Sequence, residues 1–317
     1  MITDALHSKI ETIKAELLTD TAATTTINFL VVIDDDAQRQ WVLDRVALID
    51  DKHPARTIVL DTLSTGDNAT INADRIEIAA GGMQPDDVRS LVQGLMIPEI
   101  PSVLWWTGDE IVDQPLFDPL IDIVDALVID SSGSRTDDRT IRDLSEFSAR
   151  RPTVALRDLA WMRLRPWQDM IAHFFDDPNL MEELFAIRKL EIVSGSDAEA
   201  LYLGGWLASR LGWVACAHEE FCDRDGAPIP FTHRREGAGR RVRSVSVETD
   251  RSRYFAALTP SDEGVVSVGV TGEKSRPDRL VPLQAIDNAS LIERAILEPP
   301  ADEVFETALH MVGKILA

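Results

Sequence analysis

The stretch INFLVVI, residues 27–33, decides how the first half of this chain is read. Six of its seven residues are apolar, and they do not alternate with polar ones. A strand with one wet face shows a polar side chain at every second position, so an unbroken run points to a strand covered on both faces. Working outward, Leu6, Ile10, Ile13 and Leu17 fall at helical spacing upstream, and Trp41, Val42, Val46 and Ile49 do so downstream. RTIVL (56–60), RIEIAA (75–80), VLWW (103–106) and ALVID (126–130) repeat the strand signal. Helical patterns over 86–96, 117–124 and 138–149 separate the later ones. Alternating strands and helices predict a three-layer α/β domain with a mostly parallel sheet.

The pattern changes after Arg150-Arg151-Pro152. Helices are predicted over 166–175 and 179–185, a strand over 187–193, and a long amphipathic helix over 197–211. Strand-like runs at 241–249, 253–258 and 265–271 follow one another without helices between them, which is the spacing of antiparallel hairpins. Two helices, near 290–297 and 301–316, close the chain. The expected organisation is an N-terminal α/β domain, 1–151, followed by an α+β domain with antiparallel hairpins, 152–317.

Charge narrows the partners. Asp and Glu number 54 against 32 Lys and Arg, a formal net charge of −22. Phosphate backbones and anionic membranes are bound by neutralising their charge, so neither nucleic acid nor membrane is an expected partner. The start, MITDALHSKIETIKAELL, lacks the basic-then-apolar order of a signal peptide, and no apolar run approaches the ~18 residues of a membrane span. The expected location is the cytoplasm.

The search for chemistry yields little. A dinucleotide-binding strand ends in glycines that let the backbone approach a pyrophosphate. Here β-strand residues 27–33 run into Asp34-Asp35-Asp36, and no Walker A sequence occurs. Gly81-Gly82 and the segment Ser131-Ser132-Gly133-Ser134-Arg135 each follow a strand. Both read as turns and helix caps, with Ser131, Ser132, Ser134 and Arg135 kept as a candidate anion-binding set. His53 and Arg56 in HPARTIVL form either a recognition pair or a turn cap. Cys216 and Cys222 in CAHEEFC match no common zinc spacing; they are either ordinary thiols or a candidate redox pair. Arg234, Arg235, Arg240, Arg241, Arg243, Arg251 and Arg253 form a basic cluster on predicted hairpins, where charge discourages edge pairing or meets an acidic surface. No catalytic residue, metal or cofactor is expected.

Seven tryptophans carry the strongest signal. Trp105 and Trp106 are adjacent on a strand and must point to opposite faces, so both sides of that strand need cover. In DLAWMRLRPW, residues 158–167, Trp161 and Trp167 alternate with Arg163 and Arg165. That is the composition of a binding hot spot, with core packing as the rival reading. HPARTIVL (53–60), PSVLWWTG (101–108), DLAWMRLRPWQDMIAHFFD (158–176) and AEALYLGGWLASRLGW (198–213) together resemble the glucose-6-phosphate dehydrogenase assembly protein OpcA family. The resemblance implies a non-catalytic protein that binds glucose-6-phosphate dehydrogenase, promotes its active oligomer and so supports NADPH supply. Trp161, Arg163, Arg165 and Trp167 are the candidate partner-binding residues.

Overall fold

Phe29, Leu30, Val31 and Val32 are completely shielded from solvent in the computed structural model, as a strand covered on both faces requires. The structure describes residues 4–17, 25–66, 69–72, 74–108, 111, 114–133, 137–176, 178–216, 220–237, 241–284, 286–297 and 302–317. The chain divides into two compact units. One comprises Met1–Asp130, Arg151–Arg157 and Asn288–Ala301; the other comprises Ser131–Arg150, Asp158–Asp287 and Asp302–Ala317. Each is thus assembled from three separated stretches.

The first sheet has seven strands: β1 (Ile27–Ile33), β2 (Ala55–Asp61), β3 (Ala69–Asn72), β4 (Arg75–Ala79), β5 (Ser102–Trp106), β6 (Ala126–Ile129) and β7 (Ala155–Asp158). They lie in the order β3-β4-β2-β1-β5-β6-β7. β1 pairs in parallel with both β2 and β5, so the strand order reverses beside β1. β2 with β4 and β5 with β6 are also parallel, whereas β3 is antiparallel to its neighbour β4. Neither edge strand was legible from composition. ATIN alternates between half-buried and exposed, and ALRD is four residues long with two charges.

The tryptophan pair behaves as strand geometry demands. Trp105 packs on Phe29 and edge-on against Trp41, with centroids at 6.4 and 6.0 Å, while Trp106 meets Phe117 at 5.3 Å. Both rings are about 2% exposed. In the same unit the helix Asn288–Leu297 is tied down by Glu293, which accepts hydrogen bonds from Lys52 (2.7 Å) and pairs with His53 (2.9 Å). His53 is therefore engaged by Glu293, and Arg56 is engaged separately by Asp74 at 3.1 Å.

The second unit contains β8 (Ile187–Ser194), β9 (Val214–Ala215), β10 (Phe221–Cys222), β11 (Pro228–Ile229), β12 (Phe231–Arg235), β13 (Val242–Thr249), β14 (Ser252–Thr259), β15 (Asp262–Gly272) and β16 (Arg276–Pro282). Strands β9 to β11 form a small sheet, and the others a six-stranded sheet ordered β12-β8-β13-β14-β15-β16. Its pairings are antiparallel except between β12 and β8, which run in parallel. One face buries Leu190, Ile192, Val245, Val247, Tyr254 and Ala256. The helix Arg165–Phe174 lies against it, and Phe174 and Phe175 hold the Tyr254 ring at 5.8 and 4.9 Å.

GGWLASRLG forms the helix Asp197–Leu211, which packs against the helices Glu303–Ile315 and Asp137–Arg150. Gly205 sits where the first two cross. A Cβ there would lie 2.6 Å from the Ala308 carbonyl oxygen and 2.5 Å from Val312, so only glycine allows this approach.

Candidate functional site in the second unit

The segment DLAWMRLRPW is anchored by a buried carboxylate. Asp158 has no solvent exposure. It caps the short helix Leu159–Met162 by accepting from the Ala160 amide at 2.9 Å. It also accepts from the Ser131 amide at 3.2 Å and from the Tyr202 hydroxyl at 2.7 Å. A charge removed from water needs such donors to offset its lost hydration. Trp161 is likewise fixed at both ends. Its indole N–H donates to Asp302 at 2.9 Å, and its ring lies against Phe305 and Tyr202. Asp302 in turn caps the helix Glu303–Ile315 through the Val304 and Phe305 amides, both at 3.0 Å.

Arg163 points inward. Its guanidinium pairs with Glu199 at 3.3 Å, and the two side chains are 12% and 2% exposed. It also donates to the Ser132 hydroxyl at 2.8 Å. Trp167 is buried, with Pro166 in the first turn of its helix. Of the four residues singled out in the sequence, only Arg165 stands clear of the body, 66% exposed and beside Asp169 at 3.4 Å. Arg163, Trp167, Glu199, Arg241 and Gln284 line a small cleft that opens to solvent. The signature segment thus supplies a cleft wall and one outward arginine.

The candidate anion loop is partly committed. The Ser131 amide serves Asp158, and the Ser132 hydroxyl serves Arg163. The Ser131 side chain is buried, and its hydroxyl has no hydrogen-bond partner among the described residues. Ser134 and Arg135 lie outside the described residues. Cys216 and Cys222 are joined in a disulfide with Cα atoms 5.9 Å apart, linking the residue after β9 to the last residue of β10.

Two arrangements look like chemistry at first sight. At the carboxyl end of β1, Asp35 caps the helix Asp36–Asp50 by accepting from the Ala37 amide at 2.9 Å. Arg39, the nearby cation, is held by Asp61, by Asp36 and by the Ser64 hydroxyl. A carboxylate therefore occupies the helix N-terminus where a dinucleotide-binding fold receives pyrophosphate. In the second unit, His233 stands 3.3 Å from the Ser194 hydroxyl and 2.9 Å from Asp197, a nucleophile–base–acid order. Ser194, however, has no exposed surface, and its hydroxyl donates to the Ser196 carbonyl. Burial holds the His233 imidazole below its ordinary range, with Asp197 offsetting part of the effect. No substrate reaches this serine, so the trio fastens β12 to the start of the helix Asp197–Leu211.

Sequence reasoning missed the roles of Asp158, Glu199 and Asp302, because a carboxylate in an acidic chain carries no local mark of burial, and of Tyr202, whose partner Asp158 lies 44 residues away in the chain. The comparisons with known proteins bear on both halves. Residues 46–146 match the family described as glucose-6-phosphate dehydrogenase subunit N-terminal domain, and residues 154–309 match its C-terminal domain. The chain belongs to the OpcA family.

Three relatives bearing the name OpcA, each assigned by that name to the OxPP cycle, agree with this. The protein of Synechocystis sp. is 28% identical over 178 residues, covering 52% of this chain and 37% of the relative. That of Synechococcus elongatus is 24% identical over 262 residues, covering 76% and 55%. That of Nostoc punctiforme is 31% identical over 147 residues, covering 45% and 31%. The matched stretches thus span between a third and about half of these OpcA proteins. Among solved structures, a 3-ketoreductase from Actinomadura kijaniata crystallised with NADP superimposes with a TM-score of 0.51 at 9% identity, covering 92% of this chain and 96% of that one. An NAD-binding oxidoreductase from Klebsiella pneumoniae gives 0.51 at 10% identity, covering 91% and 95%. At that identity the likeness extends to the fold alone.

Proposed function

We propose that this chain is a non-catalytic partner of glucose-6-phosphate dehydrogenase that promotes its active oligomer and so supports NADPH production by the oxidative pentose phosphate pathway in the cytoplasm. The observation that carries the reading is that both halves match domains described as subunits of that dehydrogenase. The carboxylates at the carboxyl end of β1 support a non-catalytic role, since they stand where an oxidoreductase of this fold receives its cofactor. Activation then requires tighter binding to the active form than to the inactive one. Moving a population from 1:99 to 99:1 takes about 5.5 kcal/mol of preference.

Arg165 is the residue to test first, being the exposed member of the signature. Trp161, Arg163 and Trp167 contribute by holding its segment in place. The test is an activity titration of the dehydrogenase with this chain, paired with co-elution of the two. Arg165→Glu should weaken activation by roughly thirtyfold in concentration if it meets a hot spot. An unchanged titration removes Arg165 from the interface, and no effect of the wild-type chain removes the function.

A second reading is a sugar-phosphate site at Ser131, Ser132, Ser134 and Arg135, favoured by the buried Ser131 hydroxyl, which has no hydrogen-bond partner among the described residues. A ligand that binds the folded state raises its melting temperature. A thermal-shift series with phosphosugars that leaves the transition unmoved eliminates this site.

A further inference from the structure

The six-stranded sheet has a second face, and its composition differs from the rest of the chain. Opposite the buried Tyr254 and Ala256, β14 presents Arg253, Phe255 and Ala257, which are exposed or half-buried. The register sets Ser244 beside Ala257, Ser246 beside Phe255, and Glu248 beside Arg253. Neighbouring strands add Lys189 and Glu191 from β8, and Ser267 and Thr271 from β15. Leu280 of β16, opposite Ser267, is 70% exposed. The Phe255 ring lies over Gly269, where an added Cβ would fall 2.6 Å from its Cζ. Phe255 is half-buried near the middle of this face, and beside it Ser246, 5% exposed, accepts a hydrogen bond from the Arg253 guanidinium at 3.2 Å.

The charges on this face balance. Arg234, Lys189 and Arg253 stand against Glu191, Glu248 and Asp278, and Lys189 and Arg253 each pair with Glu248. The whole chain carries −22, so two copies repel one another over most of their surfaces. A neutral face is where that repulsion is least.

We propose that this face binds a second copy of the chain, sheet against sheet, about a two-fold axis running along the strands between β13 and β14. That operation exchanges β13 with β14 across the interface, within the ~30° offset usual for stacked sheets. Glu248 then faces Arg253 of the partner subunit, and Ser246 faces Phe255 of the partner subunit. Opposite charges meet. Six strands about 4.8 Å apart and some seven residues long give roughly 650 Å² per copy, or about 1,300 Å² for the pair. Specific interfaces bury roughly 1,200–2,000 Å².

The test uses the full chain alone and is independent of the dehydrogenase. Sedimentation equilibrium from micromolar to hundred-micromolar concentration should give twice the chain mass of 35.2 kDa. Phe255→Arg should raise the dimer dissociation constant by roughly thirtyfold with an unchanged circular dichroism spectrum. If Phe255→Arg does not fold, Ala257→Arg gives the same reading from a smaller side chain. Glu248→Arg should weaken the dimer, and Glu248→Arg with Arg253→Glu should restore it. A monomeric wild-type chain overturns the proposal, as does a dimer indifferent to the folded arginine variant.

Discussion

Arg163 shows how a side chain chosen for one role turns out to occupy another. In the sequence it alternates with tryptophans as interface arginines do; in the structure it neutralises Glu199, which is 2% exposed. Removing one member of such a pair leaves the other charge buried without that counter-charge. Arg163→Ala should therefore cost about 3–5 kcal/mol of unfolding free energy. Arg163→Met combined with Glu199→Gln should recover much of it, since both charges are then gone. Denaturant melts of the three proteins check this, and equal midpoints for Arg163→Ala and wild type would sink the assignment. Any loss of activation in Arg163→Ala must first be corrected for the unfolded fraction. Cys216 raises a different question, because its partner Cys222 is close enough for the bond to open and close. If that bond regulates binding to the dehydrogenase, oxidant should change activation by the wild-type chain and leave Cys216→Ser unaffected. A response that survives in the mutant excludes it.

The elements are held by features of different legibility. Gly205 lies in GGWLASRLGW, where the sequence shows a helix but not what crosses it. The partner is the helix Glu303–Ile315, about a hundred residues later, and no local pattern reports it. Gly205→Leu forces the helices apart and should cost about 1–3 kcal/mol, with thermal or denaturant melting as the measure. The strands were easier where both faces are buried. INFLVVI and ALVI read directly from their apolar runs, whereas RPDRLVP, the β16 edge, is exposed along most of its length and gave no signal. The helix Asn288–Leu297 owes part of its attachment to Glu293, whose carboxyl the hydrogen bonds from Lys52 and His53 hold below its ordinary range. A folded-state value below the unfolded one stabilises above the ordinary carboxylate range and is lost as pH falls through the folded value. Glu293→Gln should therefore lower stability at neutral pH, and the gap to wild type should close as the solution is acidified below about pH 4. A gap independent of pH would show that the ion pair does not hold this helix.

At the scale of the molecule, the chain order and the compact units do not coincide, and the physical cause lies in where helices find their apolar partners. The helix Asp137–Arg150 follows the last central strand of the parallel sheet, so local reading assigns it to the α/β layer. Its contacts are instead with the helices Asp197–Leu211 and Glu303–Ile315, and it belongs to the second unit. The helix Asn288–Leu297 does the reverse, returning late in the chain to the first unit. Periodicity reveals that a helix has an apolar face; it does not reveal which later segment covers that face. A division of the polypeptide at 151/152 accordingly strands both helices. Expressed alone, residues 1–151 would carry the helix Asp137–Arg150 without either partner and would lack the helix that Lys52 and His53 hold. Helices of this length are marginal by themselves in water, so their apolar faces would be left to aggregate. The expected outcome is a fragment that melts without a cooperative transition and binds a hydrophobic dye. A cleaner dissection deletes 131–150 and 158–287 with a short linker in place of each, and ends the chain at residue 301. That variant keeps all of the first unit and should unfold cooperatively. If the simple 1–151 fragment gives a sharp two-state melt instead, the late helix contributes little, and the first unit folds from its contiguous stretch alone.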